Sequence, residues 1–180
     1  MTTSDMPRRV AMLLEDEFED RDLVGTVDLL RAAGVEVTCV GPIAGRTYRG
    51  RKGADVVAAV AAGAVRATHF DAVVIPGGYA PDRIRMRHAM LDLIRAMLAA
   101  EKPVAAIDHG AAVLISVKAV AGRTITCWPS LAIDIKNAGG RYVDRPVVED
   151  GCVITARKGD DVPQFAAAIL RALGLLQPTA

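Results

Sequence analysis

The residues of this sequence most able to do chemistry are Asp108 and His109, an acid and a base in adjacent positions. They follow a short apolar run at residues 104–107, and Gly110 and a second apolar run come after them. A buried strand that stops at a polar residue and passes directly into an apolar helix is the pattern of a nucleophile elbow. Small neighbours, Ala106 and Gly110, would let strand and helix approach closely and would hold Asp108 at positive φ. A carboxylate so placed could act as a nucleophile or as a general base.

Two other segments contain groups that could join this pair. Residues 15–20 are mostly acidic and directly follow an apolar run, and Gly77 and Gly78 follow another such run. Ligands bind at the carboxyl ends of the strands in open α/β sheets, and backbone N–H groups of a Gly-Gly turn can donate to an anion. Acids also favour helix N-termini, so those at residues 15–17 are explained most simply as solvated or capping groups.

The elements that would position these groups alternate along the chain. Apolar runs predict strands at residues 10–14, 35–40, 72–75 and 104–107, and helical spacing predicts helices at 20–33, 90–100, 131–138 and 160–173. Asp150-Gly151 between two short apolar runs predicts a hairpin near the end of the chain. The pattern is that of a doubly wound α/β sandwich, with a mostly parallel central sheet, helices on both faces and one partly antiparallel edge.

Length and composition favour a single domain, which we place at residues 8–176 after a flexible N-terminal tail at 1–7. Hydrophobic residues make up 52% of the chain but aromatic residues only 4%, so the core must be aliphatic, as a helix-covered parallel sheet requires. A formal net charge of +1 gives no electrostatic reason to expect nucleic acid as a partner. No apolar run is long enough to cross a membrane.

The three cysteines, Cys39, Cys127 and Cys152, are scattered and have no metal-ligand spacing. They favour a reduced, cytoplasmic location and give no sign of a metal or another cofactor. Cys127 could in principle be a reactive thiol, but a buried apolar cysteine is the commoner case. The basic group at residues 46–52, without interleaved aromatic residues, is most simply a solvated face.

Five motifs occur together along most of the chain. They are Glu-Phe-Glu-Asp (17–20), Pro-Gly-Gly-x-Ala-Pro-Asp-Arg (76–83), Lys-Pro-Val-Ala-Ala-Ile-x-His-Gly (102–110), Trp-Pro-Ser (128–130) and Asn-Ala-Gly-Gly (137–140). In order and spacing they resemble the PfpI intracellular-protease branch of the ThiJ/PfpI superfamily, which has the class I glutamine-amidotransferase-like fold. The resemblance implies a flavodoxin-like sandwich and a homodimer or higher homo-oligomer.

The resemblance also implies roles for individual residues. In the family the elbow residue is Cys, and here Asp108 takes its place, followed by His109. A Glu that hydrogen-bonds the elbow residue maps to Glu19. An acid that orients the His from a neighbouring subunit maps to Asp82, so the active site would be shared. Backbone N–H groups at Gly78 or Tyr79 and at His109 would form an oxyanion hole, and the full set expected to bind substrate is Gly77, Gly78, Tyr79, Gly110 and Trp128.

Two functions follow from this pattern. The first is a hydrolase-like enzyme on small carbonyl or acyl substrates, with Asp108 at the elbow and His109 as base; relatives are cysteine peptidases, deglycases and glyoxalases. The second is a catalytically silent, stress-associated binding protein that keeps the pocket without the thiol. In either case we expect Glu19 and Asp108 to lie at hydrogen-bond distance and to share one proton, which Glu19 should hold.

Overall fold

The computed structural model of the protein describes residues 6–177, so most of the predicted tail at residues 1–7 lies outside it. Within this range the strands are β1 (Arg9–Leu13), β2 (Glu36–Gly41), β3 (Thr47–Arg49), β4 (Asp55–Val57), β5 (Val60–Ala61), β6 (Ala72–Ile75), β7 (Val104–Ile107), β8 (Thr124–Ile125), β9 (Arg141–Tyr142), β10 (Val147–Asp150) and β11 (Val153–Ala156). The helices of the same range are α1 (Asp20–Ala32), α2 (Ala80–Ile84), α3 (His88–Ala99), α4 (Ala111–Ser116), α5 (Ala132–Asn137) and α6 (Val162–Ala172).

Seven of these strands form the central sheet, in the order β10-β11-β7-β6-β1-β2-β5. All neighbours pair in parallel except β10 and β11, which form the antiparallel hairpin predicted around Asp150 and Gly151. Strands β6 and β7 are buried along their whole length, as the near-continuous aliphatic runs of a parallel sheet covered on both faces require. The predicted α/β class is confirmed.

Helices surround this sheet. Helix α1 packs against α6, α6 packs on β11, and α3 packs on β6 and β7. The inner side of α1 carries Leu23, Val27 and Leu30, all buried, at helical spacing. None of the helices at residues 6–177 is long and apolar enough to cross a membrane.

Short elements depart most from the sequence-based prediction. Around Gly50 and Gly53 the sequence pattern also predicts a small hairpin from residues 46–51 and 56–61, and the structure has it as β3 with β4. The segment then continues into β5, which pairs with β2 at the edge of the main sheet. The pattern further predicts a short strand at residues 122–126, which in the structure is the two-residue β8 and pairs with β9 outside the main sheet. Helix α2 has no apolar periodicity of its own, being only five residues long, and the sequence pattern missed it.

The topology brings three loops together. Strands β1, β6 and β7 are adjacent and parallel, so the loops after their carboxyl ends meet at one edge of the sheet. Two of these loops are joined directly: Phe18 forms a bridge with Gly78, and the Tyr79 N–H donates to the Glu17 carbonyl at 2.9 Å. The acidic loop and the Gly-Gly turn are therefore held against each other beside Asp108.

Candidate active site

Asp108 occupies a strained corner between β7 and α4. Its φ is 59°, the left-handed region that residues with a Cβ rarely adopt, so the predicted positive φ is confirmed. The neighbouring Gly110 allows the close approach behind this corner, because a Cβ there would lie 2.7 Å from the Ile75 carbonyl oxygen. The backbone thus turns the Asp108 side chain away from the sheet and toward the loops that follow β1 and β6.

The two oxygens of the Asp108 carboxylate have different surroundings. Oδ2 accepts a hydrogen bond from the Gly78 N–H at 3.1 Å and lies 2.9 Å from Nδ1 of His109. Oδ1 has no hydrogen-bond partner among residues 6–177, and it is not one of their fully buried polar atoms. Because Asp108 lines a cavity of about 540 Å³, Oδ1 is the carboxylate oxygen available to a bound molecule.

The two N–H groups of the Gly-Gly turn that the family resemblance assigns to an oxyanion hole already have partners within the chain. The Gly78 N–H is already occupied by Asp108 itself, and the Tyr79 N–H is directed to the Glu17 carbonyl. A thiol has no second atom that could take up the Gly78 donor, whereas a carboxylate has two oxygens. Asp108 therefore places one of its oxygens where an oxyanion would be stabilised, and neither predicted donor of the Gly-Gly turn is open to substrate.

His109 is oriented by Asp108 and Trp128. The hydrogen bond to Asp108 raises the pKa of the imidazole above its usual value, partial burial opposes this, and the charges of Asp108 and Asp82 raise it further. The ring of His109 is stacked with that of Trp128, with centroids 6.0 Å apart and planes inclined by 26°. Since both side chains line the cavity, the second ring nitrogen of His109 is placed to exchange a proton with a molecule bound there.

Glu19 lines the cavity, but its predicted contact with Asp108 is wrong. Its Oε1 accepts a hydrogen bond from Nζ of Lys52 at 2.7 Å, and Oε2 lies 3.6 Å from the Arg51 guanidinium. The Glu19 carboxylate therefore faces Lys52 and Arg51 in place of Asp108. The cations belong to the turn between β3 and β4, a long-range neighbour that the local sequence pattern does not show.

The buried acid beside Asp108 is Asp22, which the sequence analysis missed. Its side chain is fully buried, and neither carboxyl oxygen has a hydrogen-bond partner among the described residues. Burial, followed by the negative charges of Asp108 and Glu19, raises the pKa of Asp22 to about 8. Two carboxyl groups so close cannot both ionise comfortably near neutral pH, and Asp22 keeps the proton.

Gly77 makes room for this pair of acids. A Cβ at residue 77 would overlap Oδ2 of both Asp108 and Asp22, so both carboxyl groups lie against the same backbone position. One signal could have identified Asp22, because it belongs to the buried stripe of α1 with Leu23 and Thr26. A carboxyl in the apolar stripe of a helix is unusual enough to mark a functional group.

The basic group at residues 46–52 divides into two parts. Arg46 and Arg49 pair with the half-buried Asp16 and the exposed Asp55, as expected for a solvated face. Arg51 and Lys52 are also exposed, and in addition they line the cavity. Together with Arg21 and Lys158 they give the cavity lining four cations.

Asp82 lies in α2 with its side chain 75% exposed, 3.9 Å from the Arg85 guanidinium. Within one chain it makes no hydrogen bond to His109, although its charge contributes to the raised pKa of that residue. Because Asp82 is exposed, its carboxylate can contact His109 of a second copy of the chain. Orientation of His109 by Asp82 of a neighbouring subunit stays a prediction.

Alkylating agents are expected to leave this site unaffected. Burial, and then the charges of Asp108 and Asp134, raises the pKa of the Cys127 thiol to about 12, so almost none of it is thiolate at neutral pH. Iodoacetamide at stoichiometric concentration should change neither a measured activity nor the mass of the peptide containing Cys127. Inactivation that maps to Cys127 by peptide mass spectrometry would overturn this assignment.

Known proteins resemble this chain over nearly its whole length. The family model described as "DJ-1/PfpI family" matches residues 8–172. The chain is 39% identical to the protein/nucleic acid deglycase 2 of Escherichia coli over 171 residues, covering 94% of this chain and 99% of that one. It is 36% identical to the deglycase PYRAB04690 of Pyrococcus abyssi, covering 86% and 92% of the two chains.

A solved structure shows the same architecture. The two-domain protein of Anabaena variabilis with DJ-1/ThiJ/PfpI-like and ferritin-like domains superposes with a TM-score of 0.91 and 36% identity, over 93% of this chain and 48% of that longer chain. The match thus spans about half of the Anabaena protein. Because the family model covers residues 8–172 and the Escherichia coli relative is 39% identical over nearly its full length, the chain belongs to the DJ-1/PfpI family.

Proposed function

We propose that this chain is an enzyme that transfers protons to and from small carbonyl compounds or their acyl and amine adducts, as a hydrolase-like member of its family. The observation that carries the proposal is the pairing of Asp108 Oδ2 with His109 Nδ1 at 2.9 Å inside a cavity of about 540 Å³. An imidazole fixed by a carboxylate and facing a cavity is the arrangement used for general acid–base catalysis. The deglycase names of the two relatives support this class of substrate.

In the proposed reaction His109 is the base. Its second ring nitrogen takes a proton from water, the resulting hydroxide attacks the carbonyl carbon, and the leaving amine or alcohol takes the proton back from the imidazolium. Asp108 fixes the ring orientation through Nδ1 and stabilises the imidazolium. Water is the only second reactant, and its atoms end in the acid and in the amine or alcohol that is released.

A covalent role for Asp108 fits the geometry less well. Attack by Oδ1 on an acyl group would give an anhydride, a more reactive acyl donor than the ester or amide from which it formed. The developing oxyanion would also lack the Gly78 N–H, because Oδ2 of Asp108 holds that donor. We therefore assign Asp108 to orienting and charge stabilisation in place of the nucleophilic role that the family pattern gives to this position.

The same observation favours a second candidate function. Asp108 Oδ2 occupies the position of an oxyanion and contacts the Gly78 N–H and His109 Nδ1. The polar groups of this cluster therefore bind one another and need no ligand for stability. Such a cluster would suit a stress-associated binding protein that has kept the pocket and lost the chemistry. The two functions differ in whether His109 is required for turnover.

The discriminating experiment measures turnover of a panel of small aldehydes, esters and glycated amines by the wild-type protein and by the His109→Gln variant. We expect at least one class to be turned over, and His109→Gln to lower kcat by about 100-fold or more. His88→Gln, an exposed histidine at the start of α3, is the matched control and should have no effect. Wild-type turnover that His109→Gln leaves unchanged, or no turnover of any class, would favour the binding protein.

A further inference from the structure

The lining of the cavity gathers cations from three separate parts of the chain. Arg21 comes from the first turn of α1, Arg51 and Lys52 from the turn between β3 and β4, and Lys158 from the segment before α6. Their side chains are 40–71% exposed. Four cations among the residues that line a cavity with Asp108 and His109 need an explanation beyond the proton transfer described above.

Among residues 6–177, two carboxylates form salt bridges with these four cations. Glu19 is shared by Lys52 at 2.7 Å and Arg51 at 3.6 Å. The guanidinium carbon of Arg51 also lies over the Tyr79 ring, 4.5 Å from its centroid. Its guanidinium donates no hydrogen bond to any residue of the described range 6–177, so its N–H groups are available to an anion in the cavity.

Asp160 is the other balancing carboxylate, and it shows where an anion fits. It lies between the Arg21 guanidinium, to which it is hydrogen-bonded, and Nζ of Lys158 at 3.4 Å. Its side chain is 60% exposed and lines the cavity. The protein's own carboxylate thus occupies a position where two cations from different segments converge.

We propose that these four cations of the cavity lining, Arg21, Arg51, Lys52 and Lys158, form a subsite for an oxyanion, and that the substrate carries a carboxylate or phosphate group besides its carbonyl. The proposal rests on the proposed function for the reacting end of the substrate. The substrate's anion displaces Asp160 from Arg21 and Lys158 and gains the N–H groups of Arg51. Charge-assisted hydrogen bonds of this kind position a small substrate more firmly than its neutral carbonyl end can.

Binding can be tested without turnover, because Trp128 is the single tryptophan of the chain and lines the cavity. Inorganic phosphate and, separately, acetate are titrated while Trp128 fluorescence is recorded, and isothermal titration calorimetry measures the same binding independently of the fluorophore. We expect saturable binding of at least one anion, weakened by added sodium chloride. The anion that binds more tightly identifies phosphate or carboxylate as the substrate group.

Three variants make the test specific. Arg21→Gln with Lys158→Gln should weaken binding about tenfold, Asp160→Asn should tighten it, and Arg95→Gln, an exposed cation of α3 outside the cavity, should leave it unchanged. Absence of saturable binding by calorimetry, or equal binding by the double variant and the wild type, would overturn the subsite.

The outcome is separable from that of the proposed function. The His109→Gln variant should bind the anion as tightly as the wild type while losing turnover. Anion binding in a protein without turnover would retain the subsite and reject the enzyme. Turnover of neutral aldehydes without any anion binding would retain the enzyme and reject the subsite.

Discussion

Replacing Asp22 by Asn is expected to stabilise the protein, and the gain should grow with pH. The pKa of Asp22 is about 8 in the folded protein against an ordinary value of 3.8. Between these values the folded state holds a proton that the unfolded state has released, so the free energy of unfolding of the wild type falls as pH rises from about 4 to 8. Above pH 8 the loss is complete and on the order of 6 kcal/mol.

The measurement is chemical unfolding of wild type and Asp22→Asn from pH 5 to pH 9. The amide of Asn carries no charge at any of these pH values, so the variant should lack the downward slope. Asp28→Asn, at an exposed position of the same helix, is the control and should keep the slope. Parallel pH profiles for Asp22→Asn and the wild type would contradict a protonated Asp22 beside Asp108.

Activity should also depend on the protonation state of Asp22, together with that of His109. His109 must be neutral to act as a base, and its raised pKa places the rise of activity above the usual range for histidine. Ionisation of Asp22 near pH 8 puts a second negative charge against Asp108 and should lower activity on the alkaline side. Asp22→Asn is expected to remove that alkaline fall, which a merely structural role of Asp22 would not do.

Asp108→Cys is expected to create a reactive thiolate. The thiol would lie at the same strained corner, where the Gly78 N–H and His109 stabilise negative charge, and Asp22 would remain protonated beside it. We expect a thiol pKa at least one unit below the ordinary value of ~8.5, hence roughly tenfold more thiolate at pH 7. The variant should also free the Gly78 N–H for a substrate oxygen.

The pH dependence of alkylation by iodoacetamide measures this pKa, with the wild type as the background for the three native cysteines. Adding His109→Gln to Asp108→Cys should raise the thiol pKa again, because the imidazole that supports the charge is gone. A residue-108 thiol that titrates near 8.5 would mean that Gly78 and His109 do not stabilise an anion at this corner.

The fold could be predicted because its signals are local. Residues 72–75 and 104–107 are aliphatic throughout, which marks buried parallel strands, and Asp150-Gly151 carries its own turn preference. The positive φ of Asp108 was also predictable, since a strand that passes into a helix around Gly110 leaves few other conformations. Helix α2 was not, because five residues are too few to show a period.

The sequence predicted that a second acid lies beside Asp108, but it did not predict which acid. The sequence indicated two carboxyl groups that share one proton and assigned the second one to Glu19; Asp22 was not considered. The deciding interactions are long-range: Lys52 comes from a turn 33 residues away to bind Glu19, while α1 turns Asp22 inward against Gly77. The hydrogen bond from the Gly78 N–H to Asp108 was not predicted either. It depends on a second side-chain oxygen, which Asp has and Cys lacks.

The most direct test of the central claim, that the Asp108–His109 pair performs the chemistry, is the ratio of kcat/KM between the wild type and Asp108→Ala on the best substrate of the panel. Without Asp108 the imidazole loses the group that orients it and stabilises its charge. We predict a ratio of about 100 or more, with the overall fold retained by circular dichroism. A ratio within about twofold of one, for a folded variant, would contradict the account.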